Sequence, residues 1–268
     1  MTDVFEWAAG PETTKEFARL SGDFNPIHLE TEAAQAAGFQ DMVVHGMCVL
    51  GVVQQAARAL APQGMVLRRL DTRFSDPVFP GQTLQISGEA KEKPDGTVRI
   101  GMKPRLGDKA VVSPANFTFG PTDDDWPVPP RFDTSQDDSD VVGQSPGLSE
   151  QDIADYTKLI TPPGIEFESV APMASLLSMT DALALAYGNR KPPKPGAWVH
   201  LRQQGDFYRP VVPGQPYTCR IQEGRAVVRK AKVGFQVVIN FIVEEQGGGN
   251  LIATGTVTLM YLFDKDPE

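Results

Sequence analysis

Hydrophobic positions along the chain follow one pattern twice. In the first pass, residues 12–22 (ETTKEFARLSG) put Phe17 and Leu20 on one face at helical spacing, and the run stops at Gly22. Pro11-Glu12 opens it, a proline near the first helical position with acid in the first turn. Thr31 caps a second short helix, EAAQAAG, with Gly38 past its end. From Gly46 to about Leu60 the chain reads GMCVLGVVQQAARAL. That run is apolar on most faces and long enough for a buried helix. Gly51, Ala56 and Ala57 are small enough to let a sheet wrap closely around it, and Pro62 ends it. Residues 65–119 switch to strand patterning, with turns at Pro80-Gly81 and Pro94-Asp95-Gly96, and predict four antiparallel strands. Residues 3–8 read as a further short strand or an arm.

The second pass begins at Ser149-Glu150-Gln151-Asp152, a capping serine with an acid three residues on. SEQDIADYTKLI then repeats the apolar spacing of the first helix. APMASLLSMTDALALAYG predicts a second long helix, with Met173, Leu176, Leu177 and Met179 as core positions, and the loop NRKPPKPG ends it. Four strand-like runs follow between Ala197 and Phe263. Phe74 to Gln82 reads FSDPVFPGQ and Phe207 to Gln215 reads FYRPVVPGQ, an offset of 207 − 74 = 133 residues. A period that long describes two related domains rather than solenoid units. Helix-rich entries followed by antiparallel meanders make the class α+β. The expected division is 1–119, a linker at 120–147, and 148–268. The linker sets seven aspartates against Arg131 and carries five prolines, which predicts a solvated, semi-extended segment pinned by Trp126 and Phe132.

The halves differ in one place. Aligning Phe17 with Tyr156 gives an offset of 139, so six residues are lost between the first helix and the strands of the second half. The lost region in the first half is SGDFNPIH; the second half has TPPGIEFESVAPM there and no His-Gly pair before its long helix. Asp23 and His28 lie five residues apart on an irregular segment, and Asn25-Pro26 favours a turn that folds it back. The pair can then hold one water between them, with either side chain as base. Gly46 opens the long helix, where backbone N–H groups are free and the dipole is positive. It has no Cβ to block close approach of an oxygen. His45 reads as a structural residue at the helix start, and His200 as a structural residue on a strand.

Composition narrows the partners. The chain has 268 residues, 41% hydrophobic and 22% charged, with a formal net charge of −9 and a pI near 4.9. That balance argues against nucleic acid as a partner. No run of about 18 apolar residues marks a membrane span, and the first residues lack the basic and apolar regions of a targeting signal. Cys48 and Cys219 show no metal-type spacing and read as buried, inert thiols, which suits a reducing cytoplasm.

Residues 21–28, Ser-Gly-Asp-Phe-Asn-Pro-Ile-His, resemble the hydratase 2 motif of the MaoC-like (R)-specific enoyl-CoA hydratases. Phe17 precedes the motif, and VVHG at residues 43–46 follows it. The resemblance implies a hotdog fold, an antiparallel sheet wrapped around one long helix. Two of them in one chain imply a double hotdog, a monomer that imitates the single-hotdog dimer by packing two sheets edge to edge, alone or as a homodimer. In the eukaryotic peroxisomal relatives the motif lies in the second hotdog, and here it lies in the first. The implied reaction is reversible hydration of trans-2-enoyl-CoA to (R)-3-hydroxyacyl-CoA. Asp23 and His28 would be catalytic, the N–H of Gly46 would be the oxyanion donor, and Asn25 and Pro26 would organise the loop. CoA enters as part of the substrate, with no metal and no further cofactor expected. The second half would shape an acyl tunnel, and its basic loop, with Arg190, Lys191 and Lys194, would meet the CoA phosphates. A hotdog thioesterase would need an acid or a water-activating residue on the long helix, which offers only Gln54 and Gln55. A non-catalytic acyl-CoA-binding protein would have no use for the intact Asp23/His28 pair. A dehydratase acting on acyl carrier protein would want a basic entrance.

Overall fold

The computed structural model describes residues 4–10, 12–122, 130–145, 147–165, 194–247 and 250–263. The first half contains β1 (Val4–Ala8), α1 (Thr13–Ser21), α2 (Thr31–Ala36), α3 (Gly46–Ala59), β2 (Val66–Phe74), β3 (Thr83–Glu92), β4 (Val98–Leu106), β5 (Lys109–Ala110) and β6 (Val112–Gly120). The second contains β7 (Val141–Ser145), α4 (Glu150–Ile160), β8 (Gly196–Phe207), β9 (Tyr217–Ile221), β10 (Val227–Ala231), β11 (Gly234–Glu245) and β12 (Leu251–Phe263). The predicted second long helix, with Met173, Leu176, Leu177 and Met179, lies outside the described residues, as do Trp126, Arg190 and Lys191.

The described strands join one antiparallel sheet of order β1-β3-β4-β6-β2-β8-β12-β11-β9-β7, with β5 on β4 and β10 on β11 off this path. Read from either end to the middle, the order is the same: edge strand, then two central strands, then the last strand of the half, then the seam. The seam is β2 on β8, with Arg69 opposite Asp206 and Arg73 opposite Arg202. Its middle pair is Asp71 and Gln204, and 204 − 71 = 133 is the repeat offset found in the sequence. The local two-fold axis relating the halves therefore passes through this pair. Side chains reinforce the seam. Arg69 Nε lies 2.6 Å and Arg131 Nε 2.8 Å from the carboxylate of Asp206, which is 1% exposed, and Arg202 Nη2 lies 2.9 Å from Asp71.

Both halves form their strands for the ordinary reason, one buried face. β3 alternates, with Leu84 and Ile86 inward and Thr83, Gln85 outward. α3 fills the concavity of the first half, and Cys48 through Ala57 are buried, in keeping with its all-round apolar sequence. At roughly 1.5–3 kcal/mol for each fully buried Val or Leu, this helix is a main source of the half's stability.

Two expectations need correction. The linker does not stay irregular to residue 147: Val141–Ser145 forms β7, the edge strand that pairs with β9 as β1 pairs with β3. Nor are its acids all solvated. Asp140 is 1% exposed and pairs with Arg220 at 2.9 Å, and Arg220 also donates to the carbonyls of Thr134 and Ser135. Five short residues with two valines are enough for a strand once a partner edge is present, whatever the composition around them. The second correction concerns Gly51. A Cβ there would meet Tyr156 Oη at 2.7 Å, so the glycine makes room for α4 rather than for the sheet. α4 starts with the expected capping box of Ser149 and Asp152. It packs Ile153, Tyr156 and Ile160 into the core around α3, and Leu159 O accepts from Trp7 Nε1 at 3.1 Å. A cut at residue 148 would thus strip side chains from the core of the first half.

Candidate active site

α1 ends in Gly22 at φ +73°, whose N–H donates to Ala18 O at 2.8 Å. This left-handed cap turns the chain away from the helix axis and favours glycine. A ladder of local bonds then shapes the motif. The N–H of Asp23 donates to Ser21 Oγ at 3.1 Å, and the N–H of Asn25 to Asp23 Oδ1 at 3.2 Å. Pro26–His28 makes one 3-10 turn, closed by the N–H of His28 on Asn25 O at 3.0 Å. The fold-back expected from Asn25-Pro26 is therefore present, and it brings His28 to Asp23. Asn25 has a further bond that no local pattern reveals: Nδ2 donates to Trp198 O in β8 at 3.0 Å, across the seam.

His28 is buried, and its Nδ1 lies 2.6 Å from Val43 O. A carbonyl only accepts, so Nδ1 carries the proton of the neutral ring and Nε2 keeps the lone pair. Burial lowers the pKa of His28; the Asp23 charge and the Val43 carbonyl oppose this. The loop returns through Val43 N–H on Ile27 O at 3.0 Å and Val44 N–H on Val78 O at 2.8 Å, and His45 caps α3. His45 Nε2 lies 2.9 Å from the backbone oxygen of Asp23, and its ring stacks on His28 with centroids 3.8 Å apart. Burial, with His28 beside it, brings His45 down to about 4. Among the described residues no acceptor takes the N–H of Gly46, the first residue of α3. A Cβ on Gly46 would sit 3.4 Å from the Phe74 ring.

These groups line a cavity of about 690 Å³ whose wall is mainly apolar. Asp23, Asn25, His28 and Gly46 face it from the first half, and Trp198 and His200 from the second. Phe24, 64% exposed, stands among the lining residues. The expected catalytic pair, loop organisers and helix start thus meet in one place. Sequence reasoning missed that Phe74, Trp198 and His200 share their wall. His200 packs edge-on to Phe74 at 5.1 Å, and burial lowers its pKa to about 4. Of the basic-loop residues only Lys194 is described; it is exposed, and its carbonyl accepts from Tyr261 Oη at 3.3 Å.

Asp23, His28 and His45 each offer a ligand-type atom, all within 4.8 Å of one another. Their geometry does not suit a metal. The imidazole planes are stacked within 25°, so an ion in the plane of one ring would lie well out of the plane of the other.

Residues 4–109 match the family model for the MaoC like domain. The matched segment contains Asp23, His28 and Gly46. It is 43% identical over 86 residues to the peroxisomal hydratase-dehydrogenase-epimerase of Saccharomyces cerevisiae, a match covering 31% of this chain and 9% of that protein. It is 41% identical over 68 residues to the peroxisomal enoyl-CoA hydratase 2 of Arabidopsis thaliana, covering 25% and 22%. The matches span only 9–12% of the length of the first three curated relatives. Over the whole chain, a MaoC domain protein of Chloroflexus aurantiacus superposes with a TM-score of 0.71 at 12% identity, covering 98% of this chain and 95% of that one. A Mycobacterium tuberculosis protein described as a double hotdog superposes at 0.68 with 14% identity, covering 97% and 96%. The fold is a double hotdog, and the segment that matches the MaoC like domain model lies in its first half.

Proposed function

We propose that the protein adds water to trans-2-enoyl-CoA to give (R)-3-hydroxyacyl-CoA, and removes it in reverse. The observation that carries this reading is the bond from His28 Nδ1 to Val43 O. It leaves Nε2 as the lone-pair nitrogen of a ring that lines, with Asp23, a mainly apolar cavity, which the start of α3 lines with an untaken N–H. A water held between Asp23 and His28 gives up a proton as its oxygen bonds to the β-carbon. The α-carbon receives a proton through the same pair. Charge developing on the thioester oxygen meets the Gly46 N–H and the positive end of α3, a donor of a kind typically worth roughly 3–4 kcal/mol of barrier. Asn25 and Pro26 hold the loop. The names of the relatives, hydratase and enoyl-CoA hydratase among them, support the same reaction.

Hydrolysis of the thioester has less support, since α3 carries Gln54 and Gln55, both buried, where a hotdog hydrolase would need an acid. Among the described residues no helix is long and apolar enough to cross a membrane. Two buried free cysteines fit a reducing compartment, and a cytoplasmic monomer acting as a pseudo-dimer is our reading.

The test is an absorbance assay of crotonyl-CoA and longer enoyl-CoAs with a thiol reagent present. Loss of the enoyl band without free thiol supports hydration. Release of CoA, or no turnover of any enoyl-CoA, overturns it. The pH profile adds a check. A lowered His28 pKa keeps the ring neutral below the ordinary value of about 6.5. Activity as kcat/KM is therefore expected to persist as pH falls through 6.5 and to be lost only as it passes the lowered value.

A further inference from the structure

We propose that His45 is a positioning residue that fixes Asp23, His28 and the Gly46 N–H relative to one another. It reads in sequence as a structural residue at a helix start, but it touches all three parts of the site. Its ring stacks on His28 at 3.8 Å and packs on Phe17 at 4.7 Å. Its Nε2 lies 2.9 Å from the backbone oxygen of Asp23. Its own carbonyl accepts the first bonds of α3, from Cys48 N–H at 3.0 Å and Val49 N–H at 3.1 Å, and its peptide bond supplies the N–H of Gly46. The side chain does not line the cavity, so it acts through these neighbours rather than on substrate.

The ring's chemistry points the same way. The Asp23 carbonyl only accepts, so the neutral ring carries its proton on Nε2, and Nδ1 is left as a lone pair. That Nδ1 is buried with no hydrogen-bond partner. An asparagine or serine would cap α3 without an orphaned atom. A buried polar atom without a partner costs stability, so a histidine here has to be retained for something other than capping. The stack on His28 and the reach to Asp23 are what only this side chain supplies.

For its kinetic arm this inference rests on the hydration reading above. Three variants separate the contacts. His45→Ala removes both, His45→Phe keeps a ring against His28 and Phe17, and His45→Gln keeps a donor toward Asp23. The substitution to Ala is expected to lower kcat for crotonyl-CoA about 100-fold, the scale of a loss of about 1 Å in placement, with KM within about twofold. Phe and Gln should each recover part of that loss. Placed in an Asp23→Asn background, His45→Ala should cost less than about twofold more, because it acts through a group already disabled. The second arm needs no turnover. The chain has three histidines, so ring ¹⁵N signals can be assigned by substitution. His28 should show a fixed Nδ1-protonated ring in the wild type and in His45→Phe, and tautomer-averaged signals in His45→Ala. If the wild type hydrates no enoyl thioester, the hydration reading falls, and this second arm alone decides the inference. Should His45→Ala fail to fold, His45→Gln, which lacks the ring against His28, carries both arms, with tautomer-averaged His28 signals expected and unchanged ones counting against the proposal. Wild-type kcat with unchanged His28 signals in the folded variants overturns the proposal. So does a fully additive loss in the double variant.

Discussion

The two halves share a strand order and meet as equals at β2 and β8, but they treat the stretch after their first helix differently. After α1 the chain spends residues 22–45 on two tight turns, a short helix and a return loop, all hydrogen-bonded back to the core. After α4 the second half continues as Thr161-Pro162-Pro163-Gly164, with no Ser-Gly-Asp, no Asn-Pro and no His-Gly pair before its next apolar run. The sheet needs only one buried face and a partner edge, so it survives in both halves. The chemistry needs a particular loop, and that loop exists once. The second half still takes part. β8 supplies the carbonyl that holds Asn25 and the wall that carries His200, and α4 supplies part of the core beneath α3. The seam brings together a loop from one half and a support from the other.

The contrast breaks most sharply at Asp23. Asp23→Asn keeps an oxygen for the N–H of Asn25 and removes the charge, so the loop should stay folded while kcat for enoyl-CoA hydration falls about 10³-fold. A variant retaining more than a tenth of wild-type kcat would move the chemistry elsewhere.

The next effect belongs to the scaffold of the second half. Arg220 and Asp140 form an ion pair with side chains 7% and 1% exposed. Arg220→Ala leaves the carboxylate buried without its cation and is expected to cost about 3 kcal/mol in urea unfolding. The loop of Asp23 and His28 is remote in sequence, and among the described residues it makes no hydrogen bond to either group, so kcat below the unfolding range should hold. A parallel loss of kcat would mean that the halves are coupled more tightly than the seam suggests.

Gly46→Pro tests the proposed oxyanion donor. Proline suits the first position of a helix, and His45, at φ −50° and ψ 129°, already has the backbone that precedes a proline. The substitution removes the N–H and adds a ring whose Cβ would stand 3.4 Å from Phe74, and kcat is expected to fall at least about 10²-fold with urea stability nearly unchanged. Wild-type kcat would remove Gly46 from the proposal.

How much of this was readable in advance depends on how local each feature is. The repeat, the capping box at Ser149, the buried α3 and the SGDFNPIH turn follow from neighbouring residues, and they stand where the sequence puts them. β7 was hidden in an Asp- and Pro-rich stretch. A signal existed: a short strand-like run and a Gly/Pro turn precede the first helix of each half, VFEWA before α1 and VVGQS before α4. The role of Gly51 was misread because Tyr156 lies about a hundred residues away in sequence. Lining by His200 and the contacts of His45 depend on three-dimensional packing that no spacing in the chain encodes.

The smallest expected effect tests the seam itself. Asn25 Nδ2 to Trp198 O spans 173 residues and joins the loop of Asp23 and His28 to the other half. Asn25 sits at φ −57° and ψ 124°, which alanine adopts without strain, so Asn25→Ala removes the side-chain bond and leaves the backbone turn. One neutral, partly buried hydrogen bond is worth about 1 kcal/mol of stability. The larger consequence should be kinetic. A loop held on one side only lets Asp23 drift from His28, and kcat should fall about tenfold, with KM changed less. Wild-type kcat with only the stability loss would mean that β8 walls the cavity without steadying the loop. The second half would then count as scaffold alone, and the contrast between the halves would be complete.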